Sequence, residues 1–191
     1  MAPVNKPTFL AFSILIGLAG CVSSGGEKCG SEGCYIPTYS DLSSDLDFYD
    51  NQVKDAARSS LSTVMPSGSA KYSAPLGLGQ ASNPATHLTG NAEYMAMLYL
   101  NADFNKNTIS GSVKNLTDAN GKIDNSLTSL RNGTITGNQF DAGVYGALVG
   151  TMSGNFRDDI LYNEPADIIS GSMTVTYGLT QYFGTFAGAT D

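Results

Sequence analysis

A chain of 191 residues with 17 acidic against 10 basic side chains and a formal net charge of −7 is poorly suited to nucleic acid or to holding an anionic membrane face by charge. Its length gives one ordinary domain with enough residues for a real core. One histidine and three cysteines leave few groups from which to assemble a metal site or a nucleophile–base pair.

Residues 1–20 read as a secretory signal peptide. Lys6 precedes the apolar run "TFLAFSILIGLAG", which is shorter than the roughly 20 residues a membrane-spanning helix needs. The run ends in "LAGC", a pattern resembling the bacterial lipobox, so Cys21 is the expected lipidation site and first mature residue. At about 0.8 kcal/mol per buried CH₂, more than one acyl chain on Cys21 makes a stable membrane anchor. Val22 stands where lipoprotein families carry the aspartate that retains a product at the inner membrane, so the outer membrane is the expected destination. Removal of the first 20 residues leaves 171 and takes away only Lys6, moving the charge to −8.

Residues 21–38, with "VSSGGEKCGSEGCYIP", read as a small, polar, glycine-rich tether. Cys29 and Cys34 within it are a candidate disulfide, the usual use of a cysteine pair outside the cytoplasm. A metal site there would need more ligands, and the one histidine, His87, is far along the chain.

Residues 39–65 read as an amphipathic helix. Leu42, Leu46, Tyr49, Val53, Ala57, Leu61 and Val64 fall three or four apart along one stripe. Ser40 or Ser44 is placed to cap it, and Pro66 stops it. The stripe needs a barrel wall or a partner to lie against. Asp41, Asp45, Asp47, Asp50 and Asp55 read as a solvated face, or as a docking surface for a basic partner.

From residue 66 to 191 the period becomes two. In "EYMAMLYLNADF" the even positions Tyr94, Ala96, Leu98, Leu100, Ala102 and Phe104 form the inward face. Met95, Met97 and Tyr99 make the other face apolar as well, as an interface or a covering helix would require. Past the Asn105-Lys106-Asn107 corner, Ile109, Gly111 and Val113 continue the alternation, which predicts a hairpin with Gly111 as a bend or packing slot. Further runs, "NSLTSL", "GTITGNQF", "GVYGALVGTMSGNF", "ADIISGSMTVTYGL" and "QYFGTFAGA", bring the strands to about eight. The predicted fold is mainly β: a single eight-stranded antiparallel up-and-down barrel, the size that closes with its interior just filled, plus an N-terminal α-helix. Gly146, Gly150 and Gly154 share a face with Leu148, Met152 and Phe156, and Gly171 shares one with Ile169, Met173, Val175 and Tyr177, which suits tightly curved strands.

These patterns, "ADFNKNTISGSV", "NGTITGNQF", "GTMSGNFRDDILYNEPADIISGSMTV" and "QYFGTFAGAT" in that order, resemble the barrel domains of transferrin-binding protein B and related bacterial surface lipoproteins, over roughly Gly68 to Asp191. Gly154-Asn155-Phe156, Glu164, Ala166 and Gly171 match the family pattern, whereas Arg157-Asp158 replaces its glycine-proline. The full receptor has two lobes, each with a handle domain beside its barrel, and this chain has length for one barrel. The resemblance thus implies a surface lipoprotein that binds a host protein or iron source, and does not imply transferrin itself.

No enzyme site assembles from the sequence. His87 lacks a nucleophile and an orienting partner, and Asp158 and Asp159 would point to opposite faces of a strand. "DANGKID", Asp118 to Asp124, mimics part of a calcium loop, but its first and twelfth positions are Leu116 and Leu127, and Asn-Gly marks a turn. The expectation is a non-enzymatic outer-membrane binding module at the cell surface, with no metal or cofactor. Its partners would be the membrane, through the lipid anchor, and a protein, with no nucleic acid. A lipocalin-like carrier of a small apolar ligand and a periplasm-facing inhibitor or envelope structural protein are the alternatives.

Overall fold

A computed structural model describes residues 28–30, 33–80, 92–162 and 164–191. Cys21 and His87 lie outside the described residues. Two short strands, β1 (Lys28–Gly30) and β2 (Gly33–Tyr35), pair antiparallel within the segment read as a tether, with Cys29 opposite Cys34.

Helix α1 runs Tyr39–Lys54. Thr38, rather than Ser40 or Ser44, caps it: its side chain accepts from the Asp41 amide, and the Asp41 carboxylate accepts from the Thr38 amide at 2.9 Å, a reciprocal capping box. Ser44 instead donates back to the Ser40 carbonyl. The helix ends 11 residues short of the predicted 65. Asp55 closes it, its side chain accepting from the Ala57 amide and its carbonyl from the amides of Arg58 and Ser59. The next stretch, β3 (Ser59–Leu61), is a strand that pairs with Arg157, Asp158 and Asp159. Helical spacing persists on paper through Leu61 and Val64, but these two side chains are 47% and 67% exposed because backbone pairing to the barrel decides their conformation.

The remaining strands are β4 (Ser69–Gln80), β5 (Tyr94–Asp103), β6 (Thr108–Asp118), β7 (Ile123–Asp124), β8 (Thr128–Thr136), β9 (Gln139–Gly146), β10 (Leu148–Asp159), β11 (Glu164–Tyr177) and β12 (Thr180–Thr190). All but the two-residue β7 form the barrel. Each pairs antiparallel with the next, and β12 pairs back to β4, Phe186 opposite Leu76, so among the described residues eight strands close an up-and-down barrel. Closure removes the long unpaired edges that would template aggregation. The Asn105–Asn107 corner joins β5 and β6 as predicted, with Asp103 opposite Thr108.

Alternation fills the lumen. Ala96, Leu98, Leu100, Ala102 and Phe104, the even positions of β5 and its exit, lie in the core. Phe156 sits at its centre, 5.0 to 5.6 Å ring to ring from Phe140, Phe104 and Tyr72. Toward the other end, Tyr94, Tyr177 and Tyr182 pack at 5.6 to 6.4 Å. Met65 packs in from the segment ahead of β4. Gly111 is both bend and slot. A Cβ there would stand 2.0 Å from the Tyr99 carbonyl oxygen, and the β6–β8 register slips between Ile109 and Gly111.

On the opposite face of β5, Met95 and Met97 lie under the helix. Leu42 and Leu46 are buried with Met95, Ala92 and Ala187 in a second cluster that glues α1 to the barrel wall. Burial of each leucine stabilises the docking by about 1.5–3 kcal/mol. The Tyr39 hydroxyl donates to the Ala92 carbonyl at the helix start. Sixteen residues at 1.5 Å each carry the chain about 24 Å along the wall.

Candidate docking site

The helix runs from one barrel end to the other. Its start touches Ala92, beside the β4–β5 connection, and its last turn reaches Arg157, near the far end of β10. That far end also bears the β5–β6, β8–β9 and β10–β11 connections.

β10 is longer than its neighbour β9, whose pairing stops at Asn155 opposite Gln139. Past that point β3 takes over the open edge of β10, and the Ser62 amide extends the pairing to the Phe156 carbonyl. Arg157 fastens this corner. Its Nε donates to Ser59 Oγ at 2.8 Å and its Nη2 to the Val53 carbonyl at 3.3 Å, in the last turn of α1 where the helix dipole favours a cation. Burial pushes the Arg157 pKa down from its usual value, and these oxygens offset the lost hydration.

Asp158 and Asp159 each accept hydrogen bonds from backbone amides. The Asp158 carboxylate accepts from the Ala166 amide at 2.9 Å. That of Asp159, only 4% exposed, accepts from the amides of Leu161 at 2.9 Å and Tyr162 at 3.3 Å. The two side chains therefore hold the β10–β11 turn from both sides. The turn they hold displays three consecutive apolar residues to solvent, Ile160 at 45%, Leu161 at 61% and Tyr162 at 74% exposure. The Ile160 amide bonds to the Arg58 carbonyl, which places exposed Leu61 and Val64 on the adjoining segment. Three consecutive exposed apolar residues make this turn a candidate interaction surface. Sequence reading singled out Arg157-Asp158 as a departure but missed Ile160, Leu161 and Tyr162, whose run of apolar residues after two aspartates was the available signal.

Asp118 Oδ1 accepts from the amides of Asn120 and Lys122 at 2.9 and 3.0 Å, and Gly121 turns at φ 78°, so "DANGKID" is a tight turn leading into β7. Asp124 accepts from the Ser126 amide at 2.8 Å and from the Tyr177 hydroxyl at 2.5 Å. Of the helix acids, Asp41 caps, Asp50 pairs with Lys54, Asp55 lies 3.4 Å from Arg58, and Asp45 and Asp47 are exposed.

No protein-family model matches the sequence, and no curated protein matches it. Solved structures similar to this chain include a transferrin binding protein B double mutant from Haemophilus parasuis Hp5, 18% identical over 65% of this chain and 25% of that one, with a TM-score of 0.39. A mutant of the same protein from Actinobacillus pleuropneumoniae H49 is 14% identical over 69% and 66%, TM-score 0.41. The N-lobe domain of lactoferrin binding protein B of Moraxella bovis is 15% identical over 67% and 61%, TM-score 0.38. The chain thus spans between a quarter and two thirds of the length of these structures. They are of the kind whose barrel domains the sequence resembles.

Proposed function

We propose that this chain is an outer-membrane lipoprotein, anchored through lipid on Cys21 and exposed at the cell surface, that works as a non-enzymatic binding module for a protein. The observation that carries this reading is a closed, filled barrel whose exposed apolar side chains Ile160, Leu161 and Tyr162 sit on a turn fixed by Asp158 and Asp159. A lumen packed with Phe156 and its aromatic neighbours speaks against a lipocalin-like carrier.

The direction of α1 supports outward presentation. The chain ahead of Tyr39 enters at the barrel end bearing Ala92, so an anchor at Cys21 leaves the Ile160–Tyr162 loop at the far end, away from the membrane. Cys29 and Cys34, directly opposed in β1 and β2, form a disulfide in this reading, since opposed antiparallel residues have Cα separations within the range a disulfide spans.

The partner class is a host protein, an iron carrier among the first to try, and the names of the similar structures make transferrin and lactoferrin the opening baits. The test is capture of purified transferrin, lactoferrin and whole serum proteins by the mature chain, compared with a Leu161→Ser/Tyr162→Ala variant. Capture by the parent that falls at least tenfold in the variant supports the reading. Equal capture by both, or none by either, overturns this loop as the contact. A periplasm-facing inhibitor or structural role would then be the reading to pursue.

A further inference from the structure

On the side of the barrel away from α1, the middle of the outer wall of β8 to β11 carries one cation and one anion, Arg131 and Asp141. The register sets its outward residues in rows: Arg131, Gly143, Thr151 and Thr174 in one, Thr134, Asp141, Ser153 and Ser172 in the next. Between these rows lies a shallow, open, mostly polar depression of about 420 Å³.

Two features shape it. A β-bulge puts Asn132 and Gly133 opposite the single residue Ala142, and Asn132, at φ 55°, lines the hollow. Beside it, the Tyr145 ring lies over Gly143: a Cβ on that glycine would be 2.6 Å from Cε2 and 3.0 Å from Cζ. Tyr145 is 44% exposed and adjoins the depression through Gly143, which lines it. Hydroxyls of Thr134, Thr151 and Ser153, the Asn132 amide and the Asp141 carboxylate supply the polar lining.

We infer that this depression binds a neutral carbohydrate. A pyranose has an apolar C–H face that stacks on an aromatic ring and an equatorial girdle of hydroxyls that each donate and accept. Tyr145 meets the first need. The carboxylate, amide and hydroxyls meet the second, with Asp141 accepting from two sugar hydroxyls. Asp141 lines the hollow and Arg131 stands on the adjoining row beside Gly143, so the two charges offset and the site is read as one for a neutral sugar. The stacking surface is small and the site open, so affinity is in the millimolar range for a single sugar and rises with repeated units.

The same chemistry serves a host glycan or the cell's own envelope polysaccharide. The test is NMR titration of the labelled mature chain with lactose and with diacetylchitobiose, sialyllactose being the charged control, followed by an array carrying vertebrate-type and bacterial glycans. Shifts at Thr134, Asp141, Tyr145, Thr151 and Ser153 with a neutral sugar, weakened at least tenfold by Asp141→Ala and by Tyr145→Ala but not by Tyr145→Phe, are expected. Asp141 is exposed, so its variant keeps the fold if Tyr145→Ala does not. A hit among vertebrate-type or bacterial glycans assigns the source, and either supports the site. No shifts with any neutral sugar together with a silent array, or shifts indifferent to both alanine variants, would overturn it. The Leu161→Ser/Tyr162→Ala variant retains sugar binding, so failure of the protein-docking loop and failure of this site are separate results.

Discussion

The Tyr72 hydroxyl donates to the carbonyl of Ala166 at 2.7 Å inside the barrel, while the amide of the same alanine donates to Asp158. Ala166 is held from two strands at once, and it is held in a left-handed conformation, φ 55°. The core thereby grips the base of β11 immediately behind the Ile160–Tyr162 loop. Burial, and then the charge of Asp167, push the Tyr72 pKa well above its usual value, so the phenol stays a donor throughout ordinary pH.

Tyr72→Phe removes that donor and leaves the Ala166 carbonyl unpaired. Urea unfolding should show a loss of about 1–3 kcal/mol with the slope unchanged. Ala166→Gly should leave stability within about 1 kcal/mol of the parent, because relief of the left-handed penalty, about 1–2 kcal/mol, is offset by about 0.8 kcal/mol for one buried methyl and about 0.5–1 kcal/mol of backbone entropy. A loss larger than about 1.3 kcal/mol for Ala166→Gly would contradict the strain.

Gly154 and Gly171 face each other across β10 and β11, with Phe140 beside the first and Phe186 beside the second. A Cβ on Gly171 would be 2.2 Å from the Ser153 carbonyl oxygen and 2.6 Å from Phe186 Cζ. Gly171→Ala should destabilise by about 1–3 kcal/mol. Phe186→Leu in the same chain should fail to restore the loss, because the nearer obstacle is backbone.

Leu46→Ala should cost about 2–5 kcal/mol and loosen α1 selectively. Hydrogen exchange is the sensitive readout: helix amides should lose protection while those of β8 to β11 keep theirs. Arg157→Lys should loosen the other end, since a lysine lacks the fork that reaches Ser59 and Val53 together.

Asp124 and Tyr177 give a pH signature. Hydrogen bonds from Ser126 and then Tyr177 lower the Asp124 pKa, and the bond to Asp124, with burial, pushes Tyr177 up to about 12. The aspartate contribution is present above 3.8 and fades as pH falls through its depressed value. The tyrosine contribution is complete below 10 and fades as pH rises toward 12. The stability gap between the parent and Asp124→Asn should therefore be flat at neutral pH and close at both extremes. A gap independent of pH would show that the pair is not formed.

The barrel was legible because its signals are local. Alternation at Ala96, Leu98 and Leu100 needs only the pleat, and the Asn105–Asn107 corner needs only turn chemistry. The helix end was not. Ala57, Leu61 and Val64 keep helical spacing, yet residues 59–61 pair with β10 because β9 stops short of its end, a fact about strands some 80 to 100 residues away. The capping box of Thr38 and Asp41 is legible three residues apart, a better cap signal than Ser40 or Ser44. Strand geometry separates the side chains of Asp158 and Asp159. Their true work, holding the amides of Ala166, Leu161 and Tyr162, depends on a turn whose shape no periodicity reports.

Surface presentation of the barrel is tested most directly by staining intact and permeabilised cells with antibody against the barrel, beside a periplasmic marker. Staining of intact cells at the level of permeabilised ones, with the marker silent until permeabilisation, is the expected result. Staining that arises only together with the marker would contradict surface exposure and place the protein on the periplasmic face.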